Sequence, residues 1–206
     1  MVEANATEQV PPTPLGLDEC VEWRQWLWTA PVRWLIGSPE RFRGARVLDV
    51  GCNRGGMSRY FASLGAFVDA VDVDERAIEL GRARTLALGL EQRVRFIRYR
   101  GDIESLEPRA YDFVFTKSVL VILADPARAL FGISRRLKPD GCYLAAENLH
   151  GGLVTRVIRR RLHPRWNNDS GIVPSHFDLF RRNFRNVRSR RYWGAVVAIE
   201  ACDPFS

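Results

Sequence analysis

The stretch RVLDVGCNRGGMSRYF (residues 46–61) joins a short apolar run to a turn of small residues and then to a helical pattern. A strand, a tight turn and a helix N-terminus in this order form the cofactor-binding turn of open α/β sheets. Gly51, Asn53 and Gly56 take the three glycine places of the G-x-G-x-x-G pattern. The stretch therefore predicts a cofactor at the end of the first strand. Asn53 is acceptable there because asparagine adopts left-handed backbone angles readily.

Apolar strands and helical patterns alternate along the middle of the chain. The predicted strands are ARVLDV (45–50), FVDAVDV (67–73), RVRFIRY (93–99), YDFVFTKSV (111–119) and KPDGCYLAAEN (138–148). Helical patterns follow the first, second and fourth of them, which is typical of a doubly wound parallel sheet. NVRSRRYW (186–193) and AVVAIEA (195–201) predict a closing antiparallel hairpin. We expect an α/β fold with a Rossmann-like sheet of about seven strands and helices on both faces.

Further segments extend this sheet at both ends. Residues 1–17 are rich in proline and polar residues, which predicts a disordered or loosely docked tail. The tryptophan-rich segment that follows predicts a helical lid, interrupted near Pro31. The expected single domain, residues 18–206, divides into the lid (18–44), the cofactor-binding core (45–150), a basic cap (151–185) and the closing strands (186–206).

Composition and charge restrict the classes of protein to which this chain can belong. The 206 residues suffice for one sizeable core, and 46% hydrophobic with 27% charged residues is ordinary for a soluble domain. There is neither a membrane-spanning apolar run nor a signal pattern, so we expect a cytoplasmic protein. Residues 151–206 carry 11 arginines against four acids, which accounts for the whole net charge of +7.

The four cysteines are scattered along the chain, at positions 20, 52, 142 and 202. They show neither a CxxC pair nor a cluster with histidine, so a structural zinc site is not predicted. Their low density also argues against a disulfide framework. We expect four buried, reduced thiols and no metal.

Two acids decide which cofactor the turn prefers. Asp72 ends the second strand, 21 positions after Gly51, where an acid can hold ribose hydroxyls. Asp49 stands two residues before Gly51 and would repel the two negative charges of a pyrophosphate. S-adenosylmethionine, which carries an ammonium, a sulfonium and the same ribose, suits both acids better than a dinucleotide does.

Five segments in order resemble the class I S-adenosylmethionine-dependent methyltransferases: VLDVGCNRGGMS, VDAVDVDERAIELGR, RYRGDIESL, YDFVFTKSVLVIL and RRLKPDGCYLAAE. The resemblance covers roughly residues 45–147. It implies S-adenosylmethionine as cofactor, with S-adenosylhomocysteine as product, and a contact role for particular positions. These are Asp49, Gly51, Cys52, Asn53 and Gly55 around the methionine, Asp72 and Val73 at the ribose and adenine, Asp102 and Ile103 at the adenine, and Thr116 and Lys117 at the methionine end and the acceptor.

The side chains that could activate or bind an acceptor are few. His150 follows the fifth strand and His176 begins a helix of the cap, so both are candidates for a general base beside Lys117. Each has a structural alternative, which for His176 is capping or packing at the helix start. Glu147, Asn148, Arg156, Arg160 and Arg181 are the candidate acceptor contacts, and the arginines favour an anionic acceptor unless they form only a solvated face.

We expect methyl transfer to a small molecule, at oxygen or else nitrogen, in specialised or sugar- or nucleotide-linked metabolism. The first alternative is an RNA methyltransferase that uses the basic C-terminal quarter. The segment TKSV lacks the Asn/Asp-Pro-Pro-aromatic motif of enzymes that methylate base amino groups, so nucleic acid is the weaker prediction. The second alternative is a domain that binds the cofactor or a partner without turnover. The sequence leaves the oligomeric state open.

Overall fold

The computed structural model describes residues 13–123, 125–150 and 171–205. Seven strands form one sheet in the order β3-β2-β1-β4-β5-β7-β6. The first five strands run parallel, and β7 pairs antiparallel with both β5 and β6. This confirms the predicted sheet and its closing hairpin. The strands are β1 Arg46–Val50, β2 Phe67–Asp72, β3 Val94–Arg98, β4 Tyr111–Lys117, β5 Leu137–Asn148, β6 Phe184–Tyr192 and β7 Val196–Pro204.

Helices pack on both faces of the sheet, as the alternating pattern predicts. The described α-helices are α1 Leu17–Val21, α2 Gln25–Ile36, α3 Gly56–Ser63, α4 Glu75–Ala87, α5 Pro126–Arg136 and α6 Pro174–Asn183. One core includes Trp28 of α2 and Phe61 of α3, and the other includes Leu130 of α5 and Phe180 of α6. The longest of these helices has 13 residues, and no described helix is long and apolar enough to cross a bilayer.

The tryptophan-rich segment breaks at a different place from the predicted one. Pro31 lies inside α2 and is buried, whereas α1 and α2 are separated by Glu22 and Arg24, which have φ angles of 57° and 53°. The proline removes one N–H donor from α2. Burial of neighbouring side chains such as Trp28 and Val32 stabilises the helix and offsets the missing hydrogen bond. The expected interruption near Pro31 is therefore wrong, and the two helices meet about eight residues earlier.

Two of the cysteines are paired. Cys142 on β5 and Cys202 on β7 are register partners, and their sulfur atoms form a disulfide. The prediction of four reduced thiols is wrong for this pair. The two cysteines are 60 positions apart in sequence, so their spacing does not reveal that they face each other across two strands. Cys20 and Cys52 are free thiols and are buried, as expected.

The described part of the N-terminal tail is docked. The backbone N–H of Leu15 donates to Ser63 Oγ at 3.0 Å, and α1 begins two residues later. Residues 1–12 lie outside the described part of the chain, as do residues 151–170 of the basic cap.

Candidate functional site

Two clefts open at the carboxyl ends of β1, β3 and β4. The lid cleft, of about 650 Å³, lies between residues 20–28 and the turn after β1. The α5 cleft, of about 420 Å³, lies between residues 99–104, the end of β4 and α5. A larger groove of about 870 Å³ lies at the amino ends of β1 to β3 and contains none of the predicted site residues. The carboxyl-end clefts are therefore the candidate site, since ligands of open α/β sheets bind at that edge.

The turn after β1 requires left-handed backbone at three positions. Gly51 and Gly55 both have φ of 72°, and Asn53 has φ of 50°. The expectation that Asn53 replaces a glycine conformationally is confirmed. A Cβ atom at Gly51 would lie 2.4 Å from Val119 Cγ2, so the absence of a side chain lets the turn and the segment after β4 approach each other.

Asp72 connects the end of β2 to this turn. Its Oδ2 accepts the backbone N–H of Asn53 at 2.7 Å, and its Oδ1 accepts the N–H of Asp74 at 2.9 Å. Asp74 caps α4 by accepting the N–H groups of Arg76 and Ala77, as its sequence position predicts. A carboxylate oxygen has more than one lone pair, so a half-buried Asp72 can still accept from ligand hydroxyls.

Asp49 is a buried acid at the base of the lid cleft. It is 2% exposed, and its Oδ2 accepts from Ser58 Oγ at 2.5 Å. Burial raises the pKa of Asp49 to about 6, although the Ser58 hydroxyl and the charge of Lys117 partly offset that effect. A cation that enters the cleft would stabilise the ionised form of this buried acid.

Thr116 and Lys117 project to opposite sides of the sheet, because neighbouring side chains alternate along a strand. Lys117 lines the lid cleft, and its Nζ donates to the backbone carbonyl of Val21 at 2.6 Å. Burial lowers the pKa of Lys117, and nearby Glu22 and Asp49 act against that shift. Thr116 lines the α5 cleft and is 1% exposed. Thr116 and Lys117, which were both expected at the methionine end and the acceptor, therefore line different clefts.

The α5 cleft contains two of the three predicted adenine contacts. Asp102 is exposed and accepts the N–H of Glu104 at 3.1 Å, so it caps a short 3₁₀ helix as well as lining the cleft. Ile103 lines the same cleft and packs against Gly132 of α5. Tyr99 lines it too, at the carboxyl end of the predicted third strand, a position that could have been read from the sequence. Val73 is 58% exposed and is not among the lining residues.

Cys52 contributes backbone to the lid cleft rather than a reactive thiol. Its side chain is buried, and burial raises the pKa of the thiol far above its ordinary value. The thiolate that nucleophilic chemistry requires is thereby disfavoured.

The two acceptor contacts predicted on β5 are buried instead. Glu147 is fully buried, and its Oε1 accepts from Thr116 Oγ1 and from two backbone N–H groups of the segment after β4. Asn148 is 3% exposed, and its Nδ2 donates to Ser118 Oγ at 2.6 Å. The expectation that both side chains touch an acceptor is wrong, because their polar atoms point into the protein.

Of the predicted histidine and arginine contacts, the three that the structure describes are absent from the lining of both clefts. His176 Nδ1 accepts the backbone N–H of Val173 at 3.1 Å, which is the capping role that was its alternative. His150 is exposed and is absent from the lining of either cleft. Arg181 is exposed and pairs with Asp178 at 3.2 Å, one turn away on α6. Arg156 and Arg160 lie outside the described residues.

The lid contributes cleft residues that the sequence left without a specific role. Trp23 and Trp28 line the lid cleft, beside the α1 residues Cys20 and Val21. Glu22 anchors this part of the chain, because its carboxylate pairs with Arg59 of α3 at 3.1 Å and with Arg84 of α4 at 3.4 Å. The aromatic spacing predicted a packed or ligand-covering helix, and Trp28 combines full burial with a place in the cleft wall.

The paired clefts suit S-adenosylmethionine in charge and in backbone shape. Asp49 provides a buried acid in the lid cleft. Gly51 of the lid cleft has no side chain, so Val119 of the α5 cleft packs directly against it. Asp72 stands at the end of β2, and Asp102 and Ile103 line the second cleft. Groups of the types that the two halves of the cofactor require therefore lie at the same edge of the sheet.

Comparison with known proteins supports this interpretation. Residues 48–143 match the family model described as a methyltransferase domain. The mitochondrial ubiquinone biosynthesis O-methyltransferase of Schizosaccharomyces pombe is 35% identical over 119 residues, which are 57% of this chain and 42% of that protein. The ubiquinone biosynthesis O-methyltransferase of Xanthomonas euvesicatoria is 34% identical over 98 residues, 48% of this chain and 41% of its own. The match thus spans about two fifths of these relatives.

Solved structures share the fold over most of the chain. The PH0226 protein of Pyrococcus horikoshii superposes with a TM-score of 0.67 at 17% identity, covering 89% of this chain and 93% of its own. A geranyl diphosphate methyltransferase in complex with S-adenosylmethionine superposes with a TM-score of 0.66 at 17% identity, covering 91% and 90%. At such low identity these neighbours establish the fold alone.

Proposed function

We propose that the chain, whose residues 48–143 match a methyltransferase domain, transfers a methyl group from S-adenosylmethionine to an oxygen of a small molecule. The observation that carries the proposal is the pair of acids on either side of one glycine turn. Asp49 is buried below the turn, and Asp72 binds the turn's backbone from the next strand.

The chain's own residues divide the cofactor between the two clefts. Asp49 and the backbone at Gly51 and Cys52 would hold the amino-acid end in the lid cleft. Asp72 would accept from the ribose hydroxyls, and Asp102 with Ile103 would hold the adenine in the α5 cleft. The bound cofactor supplies a methyl group that is already activated for displacement, so the protein's main contribution is to hold the acceptor in line.

A hydroxyl acceptor must lose its proton during the transfer. Lys117 lines the lid cleft, and burial lowers its pKa, which is the direction that brings an amine closer to accepting a proton. We therefore propose Lys117 as the proton acceptor. His176 already uses Nδ1 to cap α6, and His150 does not line the cleft, so they are weaker candidates.

We further propose an acidic group on the acceptor, on the strength of the net charge of the last quarter of the chain. Asp178 already pairs with Arg181, so this proposal depends more on the other arginines of that quarter, such as Arg156 and Arg160. Oxygen is preferred over nitrogen because the similar curated proteins are named O-methyltransferases. An RNA substrate and a non-catalytic cofactor-binding domain remain the competing functions.

Calorimetry with S-adenosylhomocysteine and transfer of a labelled methyl group test the proposal together. We expect binding with a Kd in the micromolar range and labelling of an acceptor within a panel of phenols, catechols and aromatic carboxylates. Absence of binding would contradict the cofactor assignment. Binding without transfer to that panel, together with labelling of RNA, would favour the RNA function. Binding with no transfer to either would favour the non-catalytic domain.

A further inference from the structure

The end of β5 holds the backbone segment that follows β4. We propose that Glu147 and Asn148 are positioning residues, which affect methyl transfer by fixing Ser118–Leu120 rather than by touching the acceptor. This inference rests on the proposed function, because the segment lies between the two clefts assigned there to the cofactor.

Glu147 supplies one half of this support. Its Oε1 accepts the backbone N–H of Val119 at 3.2 Å and that of Leu120 at 3.0 Å, and it also accepts from Thr116 Oγ1 at 2.9 Å. Hydrogen bonds to a carboxylate are stronger than those between neutral groups, and all of these lie within the protein. One buried oxygen thus fixes two successive peptide groups.

A chain of hydroxyl groups extends this support through the core. Thr116 Oγ1 has a single hydrogen, which it donates to Glu147, so the 2.9 Å contact with Tyr143 requires Tyr143 to be the donor. Burial, reinforced by the charge of Glu147, raises the pKa of Tyr143 and keeps its hydroxyl protonated. The chain Tyr143–Thr116–Glu147 therefore points every proton toward the carboxylate.

Asn148 supplies the other half, at a residue with a costly backbone. Ser118 has φ of 61°, a left-handed conformation that a non-glycine residue keeps only when its surroundings enforce it. Asn148 Nδ2 donates to Ser118 Oγ at 2.6 Å, and the Ser118 N–H donates to the carbonyl of Ala146 at 2.8 Å. The neighbouring strand therefore binds both the side chain and the backbone of this residue.

Displacement of the segment would change both clefts. Ser118 lines the lid cleft, whereas Val119 and Leu120 line the α5 cleft. Val119 also packs against the bare Cα of Gly51, at the turn that separates the two halves of the site. A shift of about 1 Å in a positioned group can reduce a rate about 100-fold, even when binding is little affected.

Three variants and a control test the proposal. Glu147→Gln keeps an oxygen acceptor in the same place, Glu147→Leu removes it, and Asn148→Ala frees Ser118. The control, Ser134→Ala, deletes a partly buried hydrogen bond of 2.8 Å to the Phe131 carbonyl within α5. Hydrogen exchange at the amides of residues 119 and 120 reports the support directly, without any acceptor.

We expect faster amide exchange at residues 119 and 120 in Glu147→Leu only, with protection retained in Glu147→Gln. In methyl transfer to the best acceptor of the panel, kcat should fall about 10- to 100-fold in Glu147→Leu and Asn148→Ala. It should stay within about threefold of wild type in Glu147→Gln and the control. The Kd for S-adenosylhomocysteine should rise by a clearly smaller factor than kcat falls in Glu147→Leu and Asn148→Ala, although the segment also lines both clefts.

Two outcomes would overturn the positioning role. One is unchanged exchange and kcat in Glu147→Leu. The other is a parallel loss of kcat, cofactor affinity and melting temperature, which would indicate a purely structural residue. Failure of the wild-type protein to bind S-adenosylhomocysteine would instead contradict the proposed function, while the exchange measurement would still decide whether Glu147 holds the segment.

Discussion

The backbone N–H of Asn53 donates to the carboxylate of Asp72 at 2.7 Å, so the turn after β1 is held by the residue that ends β2. These two residues are 19 positions apart in sequence, and this hydrogen bond joins them across two neighbouring strands. The left-handed backbone of Asn53 turns its N–H toward the neighbouring strand, and Asp72 accepts it while keeping further lone pairs. One acid thus serves both the turn and the proposed ribose contact.

Replacing Asp72 by alanine should weaken cofactor binding strongly. The loss of charge-assisted hydrogen bonds to ribose hydroxyls is worth about 3 kcal/mol, or roughly 100-fold in Kd for S-adenosylhomocysteine. Calorimetry measures this directly. Asp74→Ala is the matched control, since it removes a carboxylate two residues away that caps α4. It should cost about 1 kcal/mol of folding stability and leave the Kd within threefold. Equal losses of affinity in both variants would contradict the assignment.

Asn53 should tolerate glycine but not a β-branched residue. Its φ of 50° is accessible to glycine without strain, whereas valine at a positive φ is a conformational outlier. We expect the free energy of unfolding of Asn53→Gly, measured in urea, to lie within about 0.5 kcal/mol of wild type. Asn53→Val should lose about 1–2 kcal/mol of this free energy and should also bind the cofactor more weakly. Similar stability of the two variants would show that the backbone angle is not what selects asparagine.

Cofactor affinity should rise with pH through the titration of Asp49. Burial raises its pKa to about 6, so the acid is largely protonated at pH 5 and ionised at pH 7. Only the carboxylate attracts the ammonium of S-adenosylhomocysteine, so the Kd should fall up to about tenfold per pH unit below 6 and level off above it. Calorimetry from pH 5 to 7.5 measures the slope. The variant Asp49→Asn should abolish this slope, and a flat wild-type profile would contradict the role of this acid.

The same acid should destabilise the ligand-free protein. A folded-state pKa above the ordinary value means that stability falls as pH rises from about 4 to 6 and that the loss is complete above 6. The shift in the pKa of Asp49 corresponds to about 3 kcal/mol of folding free energy. Asp49→Asn should therefore raise the urea midpoint of the free protein at pH 7, with little change at pH 4, although it weakens cofactor binding. An equal fall in the urea midpoint at both pH values would instead point to the loss of the hydrogen bond with Ser58.

Gly56 should be needed to seat the lid. A Cβ atom at this position would lie 2.2 Å from the backbone carbonyl oxygen of Cys20, which has no flexible side chain to move aside. Gly56→Ala should displace α1, weaken S-adenosylhomocysteine binding about tenfold and increase proteolysis near Glu22. Gly16→Ala, whose Cβ would meet only the Glu19 side chain at 3.6 Å, is the control and should behave like wild type. Unchanged proteolysis in Gly56→Ala would mean that α1 adapts without cost.

Features that depend on nearby residues were predictable from the sequence. The strand–turn–helix order, the left-handed Asn53 and the cap at Asp74 each follow from local pattern and conformational preference. The direction in which side chains point across the sheet was not predictable in this way. Thr116 and Lys117 are neighbours in sequence but face opposite clefts, and Glu147 points at the segment after β4 because of strand register. Polar residues at a strand end indicate the right edge of the sheet, but not which side chains reach a ligand.

The Cys142–Cys202 pair shows the same dependence on register, and it can be tested by counting thiols. The cysteines become neighbours only because β7 inserts next to β5, out of chain order. The denatured protein should show two thiols that react with Ellman's reagent before reduction and four after it, since Cys20 and Cys52 are free. Closing a loop of this length should stabilise the fold by about 2–4 kcal/mol, which reduction should remove from the urea unfolding curve. The double variant Cys142→Ser/Cys202→Ser should not respond to reductant. Four thiols without reduction would show that the two sulfur atoms are not joined in solution.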